Sequence, residues 1–471
     1  MRILITTGKL AEKIVRENSE NADVYVCDLD VAAFITPKNL ENLDLGNYDI
    51  VFVPGLTKDC NWEEFEKKKG VKIRLGPLHA SDIKRVLRFV GKIDFSHKIP
   101  ACKLIDAIKA EEVFKEVNEL EKAPVFKIRD ISIGGNSRMK IVAEITITDV
   151  EKFKEKIEYL SENADIIDIG IPLEFETEKI SRIIKIAVDE SKKPISVDTF
   201  SKKAIEIAVK HGVDMVMSLS SSNIEILEFL EDQAIVVAEK NIESLLKLLE
   251  VARKRTEKVI ADPILDPPLN VAKSIERYLD FRKLDSETPL LFGVGNVTEL
   301  SDADSIGINA LLAFIAEEIG CNLLFTTEAS PKTFGSVKEL RIASYLAKIS
   351  KIRNSPPKDA GVSLLVLKEK LKYETTKAED FLIAQEFSEF QRDPFGDFII
   401  FISEGKIFCK HEKLTIAGKN AKEILDTVLR FGLVSRLDHA GYLGRELMKA
   451  EIALKLGKNY IQDRDLNFGF Y

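Results

Sequence analysis

P-I-S-V-D-T-F, residues Pro194 to Phe200, is a run of β-forming residues that ends on a carboxylate, Asp198. The pattern recurs on either side, as D-I-I-D-I-G with Asp168 and as V-I-A-D-P with Asp262. Stretches with helical spacing separate these strands. Strands that alternate with helices pair in parallel, and their polar ends then collect at one edge of the sheet. One strand ending in Asp carries no information, whereas three in a repeating βα pattern define a candidate site.

Working outward, the strands expected between residues 139 and 352 are 141–148 (I-V-A-E-I-T-I-T), 165–171, 194–198, 214–219, 234–239, 259–262, 290–295 and 322–327. Amphipathic helical segments are expected in every gap, for example S-K-K-A-I-E-I-A-V-K-H. Eight βα units over such a length predict a (β/α)8 barrel, whose site lies at the carboxyl ends of the strands. The polar strand-end residues are Thr146, Thr148, Asp168, Asp198, Ser218, Glu239, Asp262, Asn296, Thr327 and Glu328.

The chain of 471 residues is too long for the barrel alone. Residues 1–100 alternate short apolar strands with helices and predict a small parallel-sheet α/β domain of flavodoxin or Rossmann type. Its strand-end glycines, Gly8 and Gly55, lack the G-x-G-x-x-G arrangement, so turn glycines are the favoured reading over a nucleotide site. Residues 101–138 predict a long connecting helix and a hairpin that plugs the barrel floor. Polar N-S-P-P-K-D-A-G then reads as a linker. Residues 360–471 predict an α+β domain, with a strand at G-V-S-L-L-V-L-K, two strands around an E-G turn, and a helical C-terminus. The fold class is therefore α/β: a TIM barrel flanked by an N-terminal α/β domain and a C-terminal α+β domain.

A net charge of −8 excludes a general nucleic-acid binder, which needs basic excess against phosphates. The five cysteines form no C-x-x-C pair, as expected for a reduced, cytoplasmic protein. No apolar run approaches the ~20 residues that span a bilayer, so no membrane partner is expected. The five histidines (79, 97, 211, 411 and 439) avoid the barrel strands, so no metal site is expected.

Strand-end Asp residues often cap the next helix, and capping or solvation is the reading for Asp165 and Asp266. Asp168, Asp198 and Asp262 converging at one mouth suit instead a ligand rich in N–H donors. A-D-I-I-D-I-G, P-I-S-V-D-T-F, A-D-P and F-G-V-G-N-V-T, in this order, resemble the pterin-binding barrels. These are the dihydropteroate synthases and the pterin-dependent, corrinoid-linked methyltransferases. The flanking regions make the chain similar to an archaeal dihydropteroate-synthase-related family. On that resemblance Asp198 and Asp262 bind the pterin amino and ring N–H groups, Asp168 lies near the reacting side, and Ser218 borders the ring.

The chain departs from the synthases in four places. I-P-L-E-F-E follows Gly170 where synthases have G-G-E-S-T, and Met217 replaces the strand-four Asn. Gly295-Asn296-Val297 stands where a synthase carries S-R-K and is similar to the methyltransferase turn. Thr326, Thr327 and Glu328 stand where a synthase carries Arg and His for the leaving pyrophosphate. The expected function is thus one-carbon or methyl transfer on a reduced pterin, tetrahydromethanopterin or tetrahydrofolate, with Asn296 as the catalytic group at N5; the competing reading of Asn296 is a helix cap. A synthase-like C–N condensation, with Arg341 or Lys332 as anion-binding cations, and a non-catalytic pterin carrier or sensor are the alternatives. A corrinoid protein is the partner the methyltransferase resemblance implies, and a homodimer is the expected assembly. R-L-D-H-A-G-Y-L-G-R-E-L offers Asp438, His439 and Arg445 as accessory residues; a buried His–Arg network at an interface is the favoured reading there, over a general base or a cobalt ligand.

Overall fold

The structure, a computed structural model, describes residues 1–146, 153–173, 175–370, 372–373, 381–385 and 391–469. It divides into two compact units, Met1–Lys377 and Ala378–Tyr471.

The first unit begins with a four-stranded parallel sheet, β1 (Ile3–Thr7), β2 (Asp23–Val26), β3 (Ile50–Val53) and β4 (Lys72–Leu75), in the order β2-β1-β3-β4. Helices α1 (Glu12–Asn18), α2 (Trp62–Lys69) and α3 (Ile83–Leu87) cover it. Gly8 and Gly55 are close-approach glycines: a Cβ would stand 2.6 Å from the Asp30 carbonyl and from the Gly76 and Pro77 carbonyls, respectively. An apolar hollow of about 410 Å³ opens beside them at the carboxyl edge of β1, β3 and β4.

Helix α4 (Ala101–Asn118) ends in a 3-10 turn over Glu119–Lys122. The hairpin β5 (Phe126–Ile128) and β6 (Ile131–Ile133) follows, and its Ile128 and Ile133 pack with Val142, Ile166, Met215, Ala234, Ile260, Leu291 and Leu323 to close the barrel floor.

The barrel strands are β7 (Lys140–Thr146), β8 (Ile166–Gly170), β9 (Ile195–Asp198), β10 (Met215–Leu219), β11 (Ala234–Ala238), β12 (Val259–Asp262), β13 (Leu291–Gly293) and β14 (Leu323–Thr327). All pair in parallel, and a bridge between Ala261 and Leu290 completes the ring. The helices are α5 (Phe153–Ser161), α6 (Thr177–Glu190), α7 (Lys202–Lys210), α8 (Ile242–Arg253), α9 (Val271–Leu284), α10 (Gly295–Thr298), α11 (Ser305–Ile319) and α12 (Ser336–Arg353). Thr148, the end of the strand expected at 141–148, and Glu174 lie outside the described residues.

The expectation of a full helix in every gap fails after β10. There a 3-10 segment, Ile224–Phe229, makes the crossing after a Ser-rich turn. The residues alternate by parity along each strand. Ile141, Ala143 and Ile145 of β7 join the layer between strands and helices, while Val142 faces the barrel axis. The connecting helix α4 packs Val113 and Val117 against Tyr345, Leu346 and Ile349 of α12.

Below the barrel, Asp165 is not a solvated cap as expected. It is buried, takes both N–H···O bonds from Arg138 Nη2 at 2.8 and 2.9 Å, and accepts the Ile141 N–H at 2.8 Å. The Arg138 guanidinium lies 4.7 Å from the Tyr345 ring centroid.

The strand expected at G-V-S-L-L-V-L-K does not form. Gly361 (φ 79°) turns the chain against Asp106, Lys109 and Ala110 of α4, where no strand edge is available to pair. In the second unit β15 (Ile399–Ser403), β16 (Lys406–Lys410) and β17 (Thr415–Gly418) form an antiparallel sheet backed by α13 (Ala421–Arg430) and α14 (Leu437–Leu456). Its E-G turn has Glu404 and Gly405 at φ 50° and 65°, the left-handed pair of a type I′ hairpin.

Removing Arg138 leaves Asp165 as an unpaired buried charge. Arg138→Ala is expected to cost about 3–5 kcal/mol in urea unfolding, while Lys332→Ala, at the exposed Lys332–Asp302 pair, leaves the midpoint nearly unchanged.

Candidate functional site

The barrel register stacks the polar residues at the mouth. Thr327 of β14 lies beside Glu144 of β7, Glu144 beside Asp168 of β8, and Asp168 beside Ser196 of β9. Two residues further on, Thr146, Gly170 and Asp198 form the next row. By parity Glu144, Asp168 and Asp262 stand above the apolar floor residues Val142, Ile166 and Ile260 of their own strands and Asp198 stands above Ser196, so all four point into the barrel.

Asp168 is wholly buried; its Oδ1 accepts the Ser196 hydroxyl, and its Oδ2 has no partner among the described residues. Burial, then Asp198 and Glu144, push its carboxyl well above the ordinary range. Burial also raises Asp198, against a hydrogen bond from Ser218. That bond depends on an irregularity in β10. The register with β11 shifts between Val216 and Leu219, and Ser218 takes φ 64°, which turns its hydroxyl toward Asp198.

Asp262 accepts the Tyr278 hydroxyl of α9 at 2.8 Å and the Ile264 N–H at 2.7 Å. Burial nevertheless carries it up to about 6. Arg277 beside it is committed to the Pro263 carbonyl at 2.6 Å and to Asp266 at 2.9 Å. Asp266, expected to be solvated or capping, is an ion-pair centre for Lys240 and Arg277, lowered to about 2 by hydrogen bonds from Lys240, Arg277 and Ser274 that outweigh burial.

Sequence reasoning overlooked Glu144, which sits inside V-A-E-I-T two residues before the polar end it expected. The available signal was parity, since Glu144 shares the inward register of Asp168. Its carboxylate extends over β8 into space that only glycine leaves, for a Cβ on Gly170 would stand 2.4 Å from Oε1. Burial, then Asp198 and Glu299, raise it from 4.5 to about 7, with a hydrogen bond from Thr327 opposing. None of the four mouth carboxylates forms an ion pair among the described residues.

Asn296 lies within α10, not at its N-cap, so the capping reading is overturned; Val294 holds that position. Its Nδ2 donates to the Leu265 carbonyl at 2.8 Å, which ties the turn after β13 to the loop after β12 and leaves Oδ1 toward other partners. Glu328 takes the Val337 N–H at 3.0 Å at the start of α12 and the Tyr159 hydroxyl at 3.2 Å. Glu239 accepts from Ser221 at 2.8 Å. Lys332 is paired with Asp302, and Arg341 reaches the Asn163 carbonyl and Asp165, at the opposite end of β8 from Asp168. Arg341 therefore offers no cation to the mouth.

In the second unit Asp438 pairs with Arg436 at 2.9 Å, and Arg445 is exposed in a surface hollow with Lys449, Asp463 and Asp465. His439 Nδ1 lies 3.1 Å from Asp393. Buried Asp393 also accepts from the Ser435 hydroxyl and from the N–H groups of Phe395, Ser435 and Arg436, so its carboxyl falls far below the ordinary range despite burial. Asp393, which sequence reasoning did not single out, organises that cluster.

The fold and mouth together define a (β/α)8 barrel with one buried and three half-buried carboxylates converging from four strands, preceded by a parallel sheet and followed by an antiparallel one. The chain is 40% identical to the uncharacterized protein MJ0107 of Methanocaldococcus jannaschii over 521 aligned positions, covering 99% of each. It belongs to the family of that archaeal protein. Residues 392–463 match the family described as PterinBD-DUF4346. A Ycf91-like protein of Nostoc is 33% identical over 105 positions, 15% of this chain and 83% of the relative. Similar solved structures include the 7,8-dihydropteroate synthase of Vibrio fischeri (15% identity, TM-score 0.39, 47% of this chain and 96% of that one). The dihydropteroate synthase of Yersinia pestis with a pterine-sulfa conjugate is a second (14%, 0.40, 48% and 98%). The archaeal kinship read from the motifs is the one that the Methanocaldococcus relative returns.

The raised Glu144 carboxyl carries a sign for stability. Below pH 4.5 it is protonated in both states; as pH climbs through 7 the unfolded chain gives up its proton first, and the folded state loses stability. Glu144→Gln is expected to gain about 2–3 kcal/mol at alkaline pH and to flatten the stability–pH curve over that window, as read by chemical unfolding.

Proposed function

We propose that the barrel binds a reduced pterin of the tetrahydromethanopterin or tetrahydrofolate type and serves one-carbon or methyl transfer. The observation that carries this reading is the set of half-buried to buried carboxylates without a pairing cation, one of them with a free oxygen at Asp168. Such a set stabilises a ligand that presents N–H donors along one edge, and a pterin does so through its amino group and ring nitrogens. The description of the family matched at residues 392–463 supports the same ligand.

In this reading Asp198 and Asp262 accept the N–H edge, and Ser218 and Tyr278 hold those two carboxylates in place. Asp168 faces the reacting side. Asn296, already fixed through Nδ2, presents its carbonyl oxygen toward N5. N5 takes up a proton from solvent, the N5–methyl bond of the resulting ammonium breaks with its electron pair staying on nitrogen to leave the neutral amine, and the methyl passes to a nucleophilic acceptor. A corrinoid protein is the acceptor we favour, with the protein acting as a cytoplasmic homodimer. The mouth disfavours a pyrophosphate leaving group, since its acidic charge is uncompensated and Arg341 is engaged elsewhere.

Calorimetry with oxidised, dihydro- and tetrahydropterins, with and without an N5 methyl group, tests this directly. Asp198→Asn is expected to weaken binding roughly ten- to a hundred-fold, the value of a hydrogen bond to a charged group. Asn296→Ala is expected to slow transfer far more than it weakens binding. Failure of every pterin to bind the intact protein would refute the proposal, and binding without any transfer would favour a carrier.

A further inference from the structure

Glu144 is the mouth carboxylate that the pterin reading leaves without a task. It differs from its neighbours in reach. Ser218 lies with Asp198, Tyr278 and the Ile264 N–H with Asp262, and Ser196 with Asp168. Glu144 has the Thr327 hydroxyl beside it and reaches across β8 through the gap above Gly170. A longer chain placed over a glycine extends its carboxyl into the mouth, where an Asp on the same strand would stop short.

The groups around it are all acidic or neutral. Asp168 faces it from β8, Asp198 from β9, Glu299 from the end of α10, and Thr327 from β14. Glu328, the next residue after β14, is turned to Tyr159 and α12. No lysine or arginine relieves this arrangement among the described residues, and the inner oxygen of Asp168 is wholly buried with no partner. A ligand that only donated N–H bonds would satisfy Asp198 and Asp262 and leave Glu144 and Asp168 repelling each other. A ligand that ends with one positive charge resolves the repulsion.

We infer that Glu144 exchanges a proton with the bound ring, so that the mouth selects pterins carrying a basic amine nitrogen, the tetrahydro state, over aromatic oxidised ones. The inference rests on the pterin reading. In the step, the O–H bond of the Glu144 carboxylic acid breaks and an N–H bond forms on the ring nitrogen lone pair. A carboxylate and an ammonium remain as a pair, and the summed charge is unchanged. Glu144 carries its proton below neutrality, as its raised affinity for protons requires, so binding at acid pH transfers a proton already present. Above neutrality the proton must come from solvent.

The experiment is anaerobic calorimetry of the full-length protein with 6-methyltetrahydropterin and 6-methylpterin, in buffers of contrasting ionisation enthalpy. The wild type is expected to prefer the tetrahydro form by about ten-fold or more. It is also expected to take up close to one proton at about pH 8.5 and close to none at about pH 5.5. Glu144→Gln is expected to bind the two forms within about two-fold of each other and to take up no proton at either pH. Retention of the preference or of the alkaline uptake in Glu144→Gln would overturn the inference. So would equal binding of both forms by the wild type, which leaves the pterin reading standing. Binding of neither form would remove both. Should Glu144→Gln not fold, Glu144→Asp, whose carboxyl stops short of the ring, is expected to lose the tetrahydro preference and the alkaline uptake, and retention of either would overturn the inference.

Discussion

The mutual repulsion of carboxylates at the barrel mouth is the constraint on which the site depends. Parallel pairing in register places Glu144 beside Asp168 and Asp198 beside Gly170, so like charges cannot separate without breaking the ladder. The rest of the mouth is built around that fact. Ser196 gives its hydroxyl to Asp168, the Tyr278 hydroxyl lies between Asp262 and the Leu291 carbonyl, and the Ser218 and Thr327 hydroxyls oppose the burial of Asp198 and Glu144, all without adding charge. Arg277 is held by backbone carbonyls and Asp266, and its charge lowers Asp262 without an ion pair to it. Stability withheld here is supplied elsewhere, at the hairpin plug and at the Arg138–Asp165–Tyr345 cluster under the strands.

The barrel was legible because period and polarity agreed. Each strand reads as an apolar run with a polar end, and all eight were found within a few residues of their observed bounds. Asp198 and Asp262 were legible for the same reason, since each closes a strand, and Asp168 was legible because only Ile-Gly follows it in D-I-I-D-I-G. Glu144 was not, because it stands inside its strand and reaches the mouth by side-chain length over a glycine on the neighbouring strand. That relation exists only once register is set. Ser218 was visible as a polar strand end, but its orientation depends on a bulge, and Tyr278 contributes from a helix sixteen residues beyond Asp262. Asp165 was misread because its partner Arg138 precedes the barrel's first strand and comes to it only through pairing of β7 with β8.

The second unit gives the same lesson in a smaller core. His439 and its flanking charges stood out by residue type, yet Asp393, far from them in sequence, fixes the segment by accepting from Ser435, Arg436, Phe395 and His439. Asp438 and Arg436 form an exposed pair, so the dense run of functional residue types resolves into a structural knot around one buried carboxylate. A carboxylate held this far toward its charged form accepts hydrogen bonds and does not take up protons, which suits support rather than general-base work.

The two acidic centres thus behave in opposite ways, and the contrast says where chemistry belongs. Asp393 is saturated with donors and its affinity for protons is low; the mouth carboxylates are short of donors and theirs is high. A fully satisfied group lowers the energy of the folded chain and has nothing left to offer a ligand. An unsatisfied one raises that energy and recovers it when the missing donor or proton arrives. The free oxygen of Asp168 and the carboxyl of Glu144, carried over Gly170, are two places at the barrel mouth where that recovery is still available.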